Sequence, residues 1–357
     1  MSDEGKTVLL DLDILELQEY LRSIGEPAFR ARQLYQWIYT ALVFDFEQMN
    51  NLPMALRRRL QQLAEVLPLR PLVRREADDG MTVKTLFELG DGRTIESVLM
   101  LYEARQNSRA RRTVCVSSQV GCAIGCPFCA TGVTGLERNL SPGEIVGQVL
   151  HYARLLSTGE VGRGRVTNVV FMGQGEPLAN FDHVWKAVEI LNSPYGLNLG
   201  ARHITISTAG LAPQMVELAR RSTQVGLAVS LHAPNDRLRD VLVPVNKAFP
   251  ISRLLGACRE YIRLTNRRVT FEYALIGGVN DSLAQARELA KLLAGLLCHV
   301  NLIPLNPTTA EFKRTQRKQV LAFRAELSRL GIATTVRAER GGHIEAACGQ
   351  LKSACRT

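Results

Sequence analysis

The sequence predicts an α/β protein, namely a partial (β/α) barrel that follows a small helical domain and a short β-hairpin linker. From about residue 106 onward, short apolar runs alternate with amphipathic segments, a pattern typical of a parallel sheet flanked by helices. Polar or reactive residues follow nearly every predicted strand, and in barrels the loops after the strands form the active site. With 357 residues, the chain is long enough for more than one domain.

The first two parts differ in the spacing of their apolar residues. Residues 1–65 have helical spacing in DILELQEYLRSI, RARQLYQWIYTAL and ALRRRLQQLAEV, with a break at Gly25-Glu26-Pro27. Residues 66–105 contain the β-like runs KTLFEL and TIESVLML around the turn Gly90-Asp91-Gly92. We therefore expect a helical domain at 1–65 and a β-hairpin linker at 66–105.

The third part, at 106–357, is predicted to be the barrel. Its strand candidates are TVCVSS, VTNVVFMG, HITIS, VGLAVSLH, VTFEYALI, HVNLIPL and ATTVRA. Amphipathic helices are predicted in PGEIVGQVLHYARLL, FDHVWKAVEILN and SLAQARELAKLLAGLL, and at 315–330. Roughly six such units fit a full or partial barrel better than an open sheet, because polar or reactive residues follow nearly every predicted strand.

The charge balance points to a polyanionic partner. The formal net charge is +10, and the basic residues form clusters at Arg57–Arg59, Arg109–Arg112, Arg263–Arg268 and Lys313–Lys318. Any single cluster could be a solvated surface, but several clusters together with the net charge favour a nucleic acid. The composition fits RNA and DNA equally.

The compartment predicted from the sequence is the cytoplasm. No apolar run reaches the roughly 18 residues of a membrane span, and the acidic N-terminus is neither a signal nor a transit peptide. In a reducing compartment, clustered cysteines favour metal binding or thiol chemistry over structural disulfides. Of the eight cysteines, we expect Cys258 and Cys298 to be buried fillers and Cys355 to be an idle thiol in the tail.

Three cysteines form the densest motif, GCAIGCPFC at 121–129. Gly121, Gly125 and Pro127 allow a loop that turns all the thiols toward one point. A structural zinc site needs four protein ligands, whereas a [4Fe–4S] cluster held by three cysteines leaves one iron open for a substrate or cofactor. The motif therefore favours the cluster over zinc, with the following cysteines as its ligands: Cys122, Cys126 and Cys129.

The spacing CxxxCxxC, with Phe128 before the last cysteine and a strand before the loop, resembles the signature of radical S-adenosylmethionine (SAM) enzymes. The resemblance implies that the open iron binds the methionine end of SAM and that Glu176, in MGQGEP, binds its ammonium group. Polar residues at other strand ends would bind the ribose, carboxylate and adenine. These residues are Ser207, Ser230, His232 and Asn306.

The whole chain resembles the RlmN/Cfr family of radical SAM RNA adenine methyltransferases. The resemblance rests on GEPAFRARQLYQWIY, CVSSQVGCAIGCPFCATG, GLERNLSPGEIVGQ, MGQGEPLAN, SLHAPND, NLIPLNP and AACGQL. It implies that SAM is contacted by Gly175, Glu176, Ser207, Ser230, Leu231, His232 and Asn306. It also implies that Cys348 becomes S-methylated, that Cys115 is its resolving partner and that Glu96 is the base.

The resemblance further implies an activity and its partners. Two SAM molecules would be used, one to methylate Cys348 and one to generate a radical, and Cys115 would release the product through a transient disulfide. The expected substrates are 23S rRNA at adenine 2503 and tRNA at adenine 37. An electron-donating reductant such as a flavodoxin system is implied, and we expect a monomer without membrane contact. GEP at 175–177 favours methylation at C2. The alternatives are a Cfr-type C8 methyltransferase and a non-enzymatic, zinc-containing RNA-binding protein.

Overall fold

The chain forms the predicted barrel sheet, extended at one edge by antiparallel strands. A computed structural model describes residues 5–104, 109–221, 224–306, 311–337 and 344–351. Three residues of the sequence analysis lie outside this described part: Pro307 in NLIPLNP, Ala338 in ATTVRA, and Cys355.

The N-terminal part is helical, as predicted. A short parallel pair of strands closes the unit by joining its two ends, because Thr7 pairs with Ala64. Asp13 caps the first helix through a reciprocal capping box with Glu16. The elements are β1 (Thr7–Val8), α1 (Ile14–Ser23), α2 (Arg30–Tyr35) with a π-helical turn at Gln36–Thr40, α3 (Met54–Leu63) and β2 (Ala64–Glu65).

The predicted hairpin is present and continues the barrel sheet. It consists of β4 (Thr82–Leu89) and β5 (Thr94–Tyr102). A further strand, β3 (Leu69–Glu76), pairs with β4 and forms the sheet edge. The sequence analysis did not predict β3, because its largely exposed run LRPLVRRE lacks apolar alternation and carries charges typical of edge strands.

Within the described ranges, seven parallel strands form the barrel, each beside its neighbour in chain order. They are β6 (Arg111–Cys115), β9 (Asn168–Phe171), β10 (Ile204–Thr208), β11 (Gly226–Ser230), β12 (Val269–Leu275), β13 (Cys298–Pro304) and β14 (Thr334–Val336). A separate antiparallel pair, β7 (Gln119–Gly121) and β8 (Leu136–Asn139), flanks the cysteine loop. In the described part of the chain, β14 and β3 are the two ends of one ten-stranded sheet, so the barrel is partial.

Helices follow the barrel strands and cover the sheet with their apolar faces. They are α4 (Ala130–Thr134), α5 (Pro142–Thr158), α6 (Phe181–Asn192), α7 (Ala212–Arg220), α8 (Asp236–Leu242), α9 (Ile251–Thr265), α10 (Leu283–Leu293) and α11 (Arg317–Arg329). Among the described residues, none of these helices is both long and apolar enough to cross a membrane.

The helical unit is attached to the barrel through α5. The Gly143 amide donates a hydrogen bond of 2.7 Å to the Asp11 carboxylate. A Cβ atom at Gly143 would lie 2.9 Å from the same oxygen, so the close approach requires glycine. Leu10 of the unit and Val149 of α5 belong to one continuous apolar core. The two parts therefore share a core rather than meeting only at a polar surface.

Candidate active site

A cavity of about 170 Å³ lies at the carboxyl ends of the barrel strands. Parallel strands bring their following loops to one end of a barrel, which is why residues distant in sequence meet there. Most of the predicted site residues line it, namely Cys122, Cys126, Cys129, Gly175, Glu176, Ser207, Ser230, His232, Asn306 and Cys348.

The cysteine loop is shaped by close backbone contacts. Gly121 has a φ of +75°, and a Cβ atom there would overlap the Gly135 carbonyl. The Cys122 amide donates to that same carbonyl at 2.8 Å. Gly132 packs its Cα against the loop, since a Cβ atom there would lie 2.8 Å from the Cys126 carbonyl oxygen. These glycines let the chain fold back tightly enough to present three thiols on one wall.

The three thiols fit a [4Fe–4S] cluster. Burial raises the pKa of Cys122 to about 12 and also raises the pKa of Cys126, so a bound cationic centre is needed to stabilise thiolates here. Among the described residues, no three Cys, His, Asp or Glu side chains converge on a single metal ion. The cysteines of a cubane bind separate iron atoms, so thiols spread along one wall are the donor set that such a cluster requires.

Glu176 is buried in the wall of the same cavity. One carboxylate oxygen accepts from the Ala209 amide at 2.6 Å, and the other accepts from the Leu178 amide at 3.0 Å. Burial raises the pKa of Glu176 to about 7, while these two hydrogen bonds act against the rise. The preceding Gly175 has a φ of +96°, and a Cβ atom there would lie 2.6 Å from Gln119 Cβ. The carboxylate is thus held rigidly in a position suited to an ammonium group.

His232 presents a defined tautomer to the cavity. Its Nδ1 accepts from the Ala274 amide at 2.9 Å, which leaves the proton on Nε2. Burial lowers the pKa of His232 to about 3, so the ring is neutral. The ring meets Phe128 of the cysteine loop edge to face, with centroids 5.2 Å apart. His232 is therefore a neutral donor beside the loop.

Arg239 was missed by the sequence analysis. It is fully buried, and its guanidinium donates to the carbonyls of Leu231 at 3.1 Å, Ser230 at 3.1 Å and Ala209 at 2.5 Å. It also donates to Asn246 Oδ1 at 2.8 Å. The planar guanidinium thereby ties the end of β11 to the loop after β10. The sequence did place this arginine near a predicted site, since DRLRD follows the SLHAPN loop. An arginine in an amphipathic helix is usually exposed, however, so its burial was not predicted.

A second, smaller cavity of about 40 Å³ is lined by the two cysteines that were predicted to be catalytic. Cys115 at the end of β6 and Cys348 of the C-terminal segment both line it. Cys348 also lines the larger cavity, whereas Cys115 does not. Burial raises the pKa of Cys115 to about 12. Cys348 therefore lies between the cysteine loop and Cys115.

Two charged residues inside the barrel were also missed. Arg337 lines both cavities, and Glu272 lines the larger one. Electrostatic interaction with Cys348 and Glu272 raises the pKa of Arg337, although burial opposes the rise. Burial raises the pKa of Glu272, and Arg337 and a hydrogen bond from Asn301 at 2.8 Å counteract this. The centre of the barrel thus holds a cation between a carboxylate and the thiols.

Two predicted residues lie outside the walls of both cavities. The Leu231 side chain is fully buried in the apolar core, so only its backbone reaches the strand end. Glu96 lies on β5 and pairs with Lys84, with 2.9 Å between Oε1 and Nζ. Val98, two residues further along the same strand face, lines the smaller cavity. Glu96 is therefore next to that cavity, in contact with Lys84.

Comparisons with known proteins place this geometry in a family. Residues 7–66 match the ribosomal RNA large subunit methyltransferase N-terminal domain, and residues 116–290 match the radical SAM superfamily. The probable dual-specificity RNA methyltransferase RlmN of Desulforamulus reducens is 49% identical over 98% of this chain and 97% of its own length. The same-named protein of Symbiobacterium thermophilum is 49% identical over 98% of this chain and 92% of its own. The chain belongs to the RlmN family.

A solved structure supports the RlmN-family fold over nearly the whole chain. A radical SAM methyltransferase from Sphaerobacter thermophilus is 53% identical, with a TM-score of 0.92, and the match covers 97% of this chain and 99% of that one. The predictions of family, barrel fold and enzymatic activity are thereby confirmed. As a radical SAM methyltransferase of the RlmN family, the chain uses a [4Fe–4S] cluster and SAM. The alternative of a non-enzymatic zinc protein is wrong.

Proposed function

We propose that this RlmN-family enzyme methylates C2 of adenine in RNA, at adenine 2503 of 23S rRNA and adenine 37 of tRNA. The roles that we assign to Cys348 and Cys115 rest on one observation. Cys348 lines both the cavity of the cluster cysteines and the smaller cavity of Cys115. A thiol in that position can take a methyl group from SAM, present it to the radical chemistry and then be attacked by a second thiol.

The residues act in a fixed order in this proposal. The Cys348 sulfur first attacks the methyl carbon of one SAM molecule, displaces S-adenosylhomocysteine and becomes a methyl thioether. When bound, the cluster supplies the electron that cleaves a second SAM, so that hydrogen can be abstracted from this methyl group and the carbon can join adenine C2. Glu96 then takes the ring proton, and the unpaired electron of the adduct would return to the cluster, which leaves a closed-shell ring joined to Cys348 through a methylene group.

The final step uses the second thiol. Cys115 attacks the Cys348 sulfur, the carbon–sulfur bond breaks with its electron pair moving to the methylated base, and a Cys115–Cys348 disulfide forms. An external donor must return two electrons to this disulfide before the next cycle. We propose an electron-donating protein such as a flavodoxin for this role and for reduction of the cluster.

Binding and location follow from the same proposal. The net charge of +10 and the basic clusters would contact RNA phosphates, and the N-terminal helical unit would supply part of that surface. Arg57 to Arg59 lie on α3 of this unit, and Arg58 and Arg59 are exposed. We propose that the enzyme acts as a monomer in the cytoplasm, where both RNAs are found.

The decisive experiment is mass spectrometry of RNA nucleosides. A host lacking its own methylase would carry either this chain or its Cys348→Ala variant, and rRNA and tRNA would be digested separately. We expect 2-methyladenosine in both RNAs with the wild-type chain and in neither with the variant. Formation of 8-methyladenosine would contradict the proposal in favour of the Cfr-type reaction, and 2-methyladenosine in only one RNA would contradict the dual specificity.

A further inference from the structure

A buried lysine connects the strand of the predicted base to the segment that carries Cys348. Lys84 lies on β4, and its side chain is only 6% exposed. Its Nζ lies 2.9 Å from Glu96 Oε1 and donates a hydrogen bond of 3.2 Å to the Glu345 carbonyl oxygen. The Glu96 side chain is also almost fully buried, at 8% exposure.

The burial of this ion pair implies a role beyond stability. Removing two charges from water is costly, and a buried ion pair often stabilises a fold no better than apolar residues of similar size. Lys84 pairs in register with Val98, which lines the cavity of Cys115 and Cys348. The ammonium group is therefore placed beside the reaction site, at the strand that holds Glu96.

The backbone around Glu96 is fixed as well. Its amide donates to Gln174 Oε1 at 3.0 Å, and its carbonyl accepts from the Ser117 hydroxyl at 2.6 Å. The strand position of Glu96 is thus set by neutral partners, and Lys84 is a cation that contacts the carboxylate itself. The orientation of that carboxylate then depends on its contact with Lys84.

The segment at 344–351 is held at both ends of its described length. Near its start, the Glu345 carbonyl accepts from Lys84. Near its end, Gly349 and Leu351 carbonyls accept from the Ala130 amide at 2.8 Å and the Thr131 hydroxyl at 2.6 Å, both on α4. Cys348 therefore lies in a segment that is hydrogen-bonded to α4, which follows the cysteine loop, on one side and to Lys84 on the other.

We propose that Lys84 is a positioning residue for ring-proton removal: its ammonium group holds the Glu96 carboxylate in the orientation needed beside the cavity of Cys115 and Cys348. This inference rests on the proposed function, because it takes Glu96 as the base and Cys348 as the methyl carrier. Lys84 acts through Glu96 and does not itself touch the substrate. Methylation of Cys348 by SAM precedes this step and does not require the base.

The first test separates the two half-reactions. Lys84→Met removes the charge and retains much of the apolar stem, and Lys84→Gln retains a donor for the Glu345 carbonyl. For both, we expect single-turnover methylation of RNA to slow roughly 10- to 100-fold, while the purified protein keeps wild-type S-methylation of Cys348 by mass spectrometry. Lys84→Arg should restore most of the rate, since arginine can make both contacts. Arg287→Met, which breaks an exposed ion pair with Glu326 on the outer helices, is the matched control and should leave the rate unchanged.

A double-mutant cycle tests whether Lys84 acts through Glu96. In a Glu96→Gln background, Lys84→Met should cause no further loss of rate. Multiplicative losses, an unchanged rate in Lys84→Gln, or a parallel loss of Cys348 methylation in both neutral variants would overturn the inference. If the wild-type chain forms no 2-methyladenosine at all, the proposed function itself is wrong. If the wild-type chain is active and Lys84→Gln is equally active, only the inference about Lys84 is wrong.

Discussion

Cys348 and Cys115 line one small cavity, although Cys115 ends a barrel strand and Cys348 lies in the C-terminal segment. Only Cys348 also lines the larger cavity with the cluster cysteines. In the proposed mechanism, this arrangement gives the two thiols different tasks: Cys348 would meet SAM and substrate, and Cys115 would meet Cys348. The first prediction follows from this difference.

Replacing Cys115 by alanine should trap the RNA on the protein. Without the second thiol, the bond between the Cys348 sulfur and the methylene carbon has no intramolecular nucleophile to break it. We expect a covalent protein–RNA adduct on denaturing gels from Cys115→Ala, and none from the Cys115→Ala, Cys348→Ala double variant. Cys298→Ala is the matched control, because Cys298 lines neither cavity. Release of free, methylated RNA by Cys115→Ala at the wild-type rate would contradict the resolving role.

Release of the adduct should depend steeply on pH. Burial raises the pKa of Cys115 to about 12, so the reactive thiolate is a minor form at neutral pH and its fraction rises tenfold per pH unit. In single-turnover experiments between about pH 7 and 9, adduct decay should accelerate by roughly tenfold per unit if this deprotonation limits the step. Formation of 5′-deoxyadenosine in the same samples is the reference for general pH effects. A flat decay profile would show that another group removes the Cys115 proton during attack.

A single methyl group at Gly132 should prevent cluster binding. A Cβ atom there would lie 2.8 Å from the Cys126 carbonyl and 2.9 Å from the Cys126 amide nitrogen, so the cysteine loop would have to move. We expect Gly132→Ala to lose most of its iron and its brown absorbance after anaerobic reconstitution. Gly256→Ala on α9 has nothing within 4 Å of its new methyl group and should reconstitute normally. Equal iron content in the two variants would contradict the packing argument.

Removing the Arg239 guanidinium should weaken both the fold and SAM binding. Arg239→Met leaves the buried carbonyls of Ala209, Ser230 and Leu231 without this donor. The Leu231 carbonyl keeps the Ala233 amide as a donor, so the loss falls on the Ala209 and Ser230 carbonyls. At about 1–3 kcal/mol for each unsatisfied buried group, the free energy of unfolding should fall by about 2 kcal/mol or more. The exposed Arg237→Met on the same helix is the control. Denaturant unfolding and calorimetric SAM titration measure the two effects, and wild-type values for both in Arg239→Met would refute the role.

The fold was largely predictable from the chain because its signals are local. The alternation of apolar runs and amphipathic helices predicted β9 to β13 with α6 and α10, and the turn at Gly90-Asp91-Gly92 predicted the hairpin. The same reasoning missed β3, whose side chains are almost all exposed and whose strand character depends on pairing with β4. A strand without a buried face leaves no apolar period in the sequence.

The candidate site was predictable where its residues form contiguous motifs. The cysteine loop and MGQGEP were recognisable because tight turns need glycine at fixed positions, and the structure brings both motifs to one cavity. Lys84, Arg239, Glu272 and Arg337 were not recognisable. Each is a common charged residue in an ordinary strand, helix or loop, and each matters only through partners on other segments.

The sequence by itself determined the fold class and the family, because periodicity and short motifs are encoded within one stretch of chain, and the family resemblance predicted the roles of five cysteines. Only the tertiary structure decided that Cys348 lies between two cavities, that Arg239 joins the ends of two strands and that Lys84 contacts Glu96 and the Cys348 segment. These are contacts between distant residues, and their chemistry depends on burial. Burial of a charged side chain is a property of the packed barrel and is not visible in its local sequence.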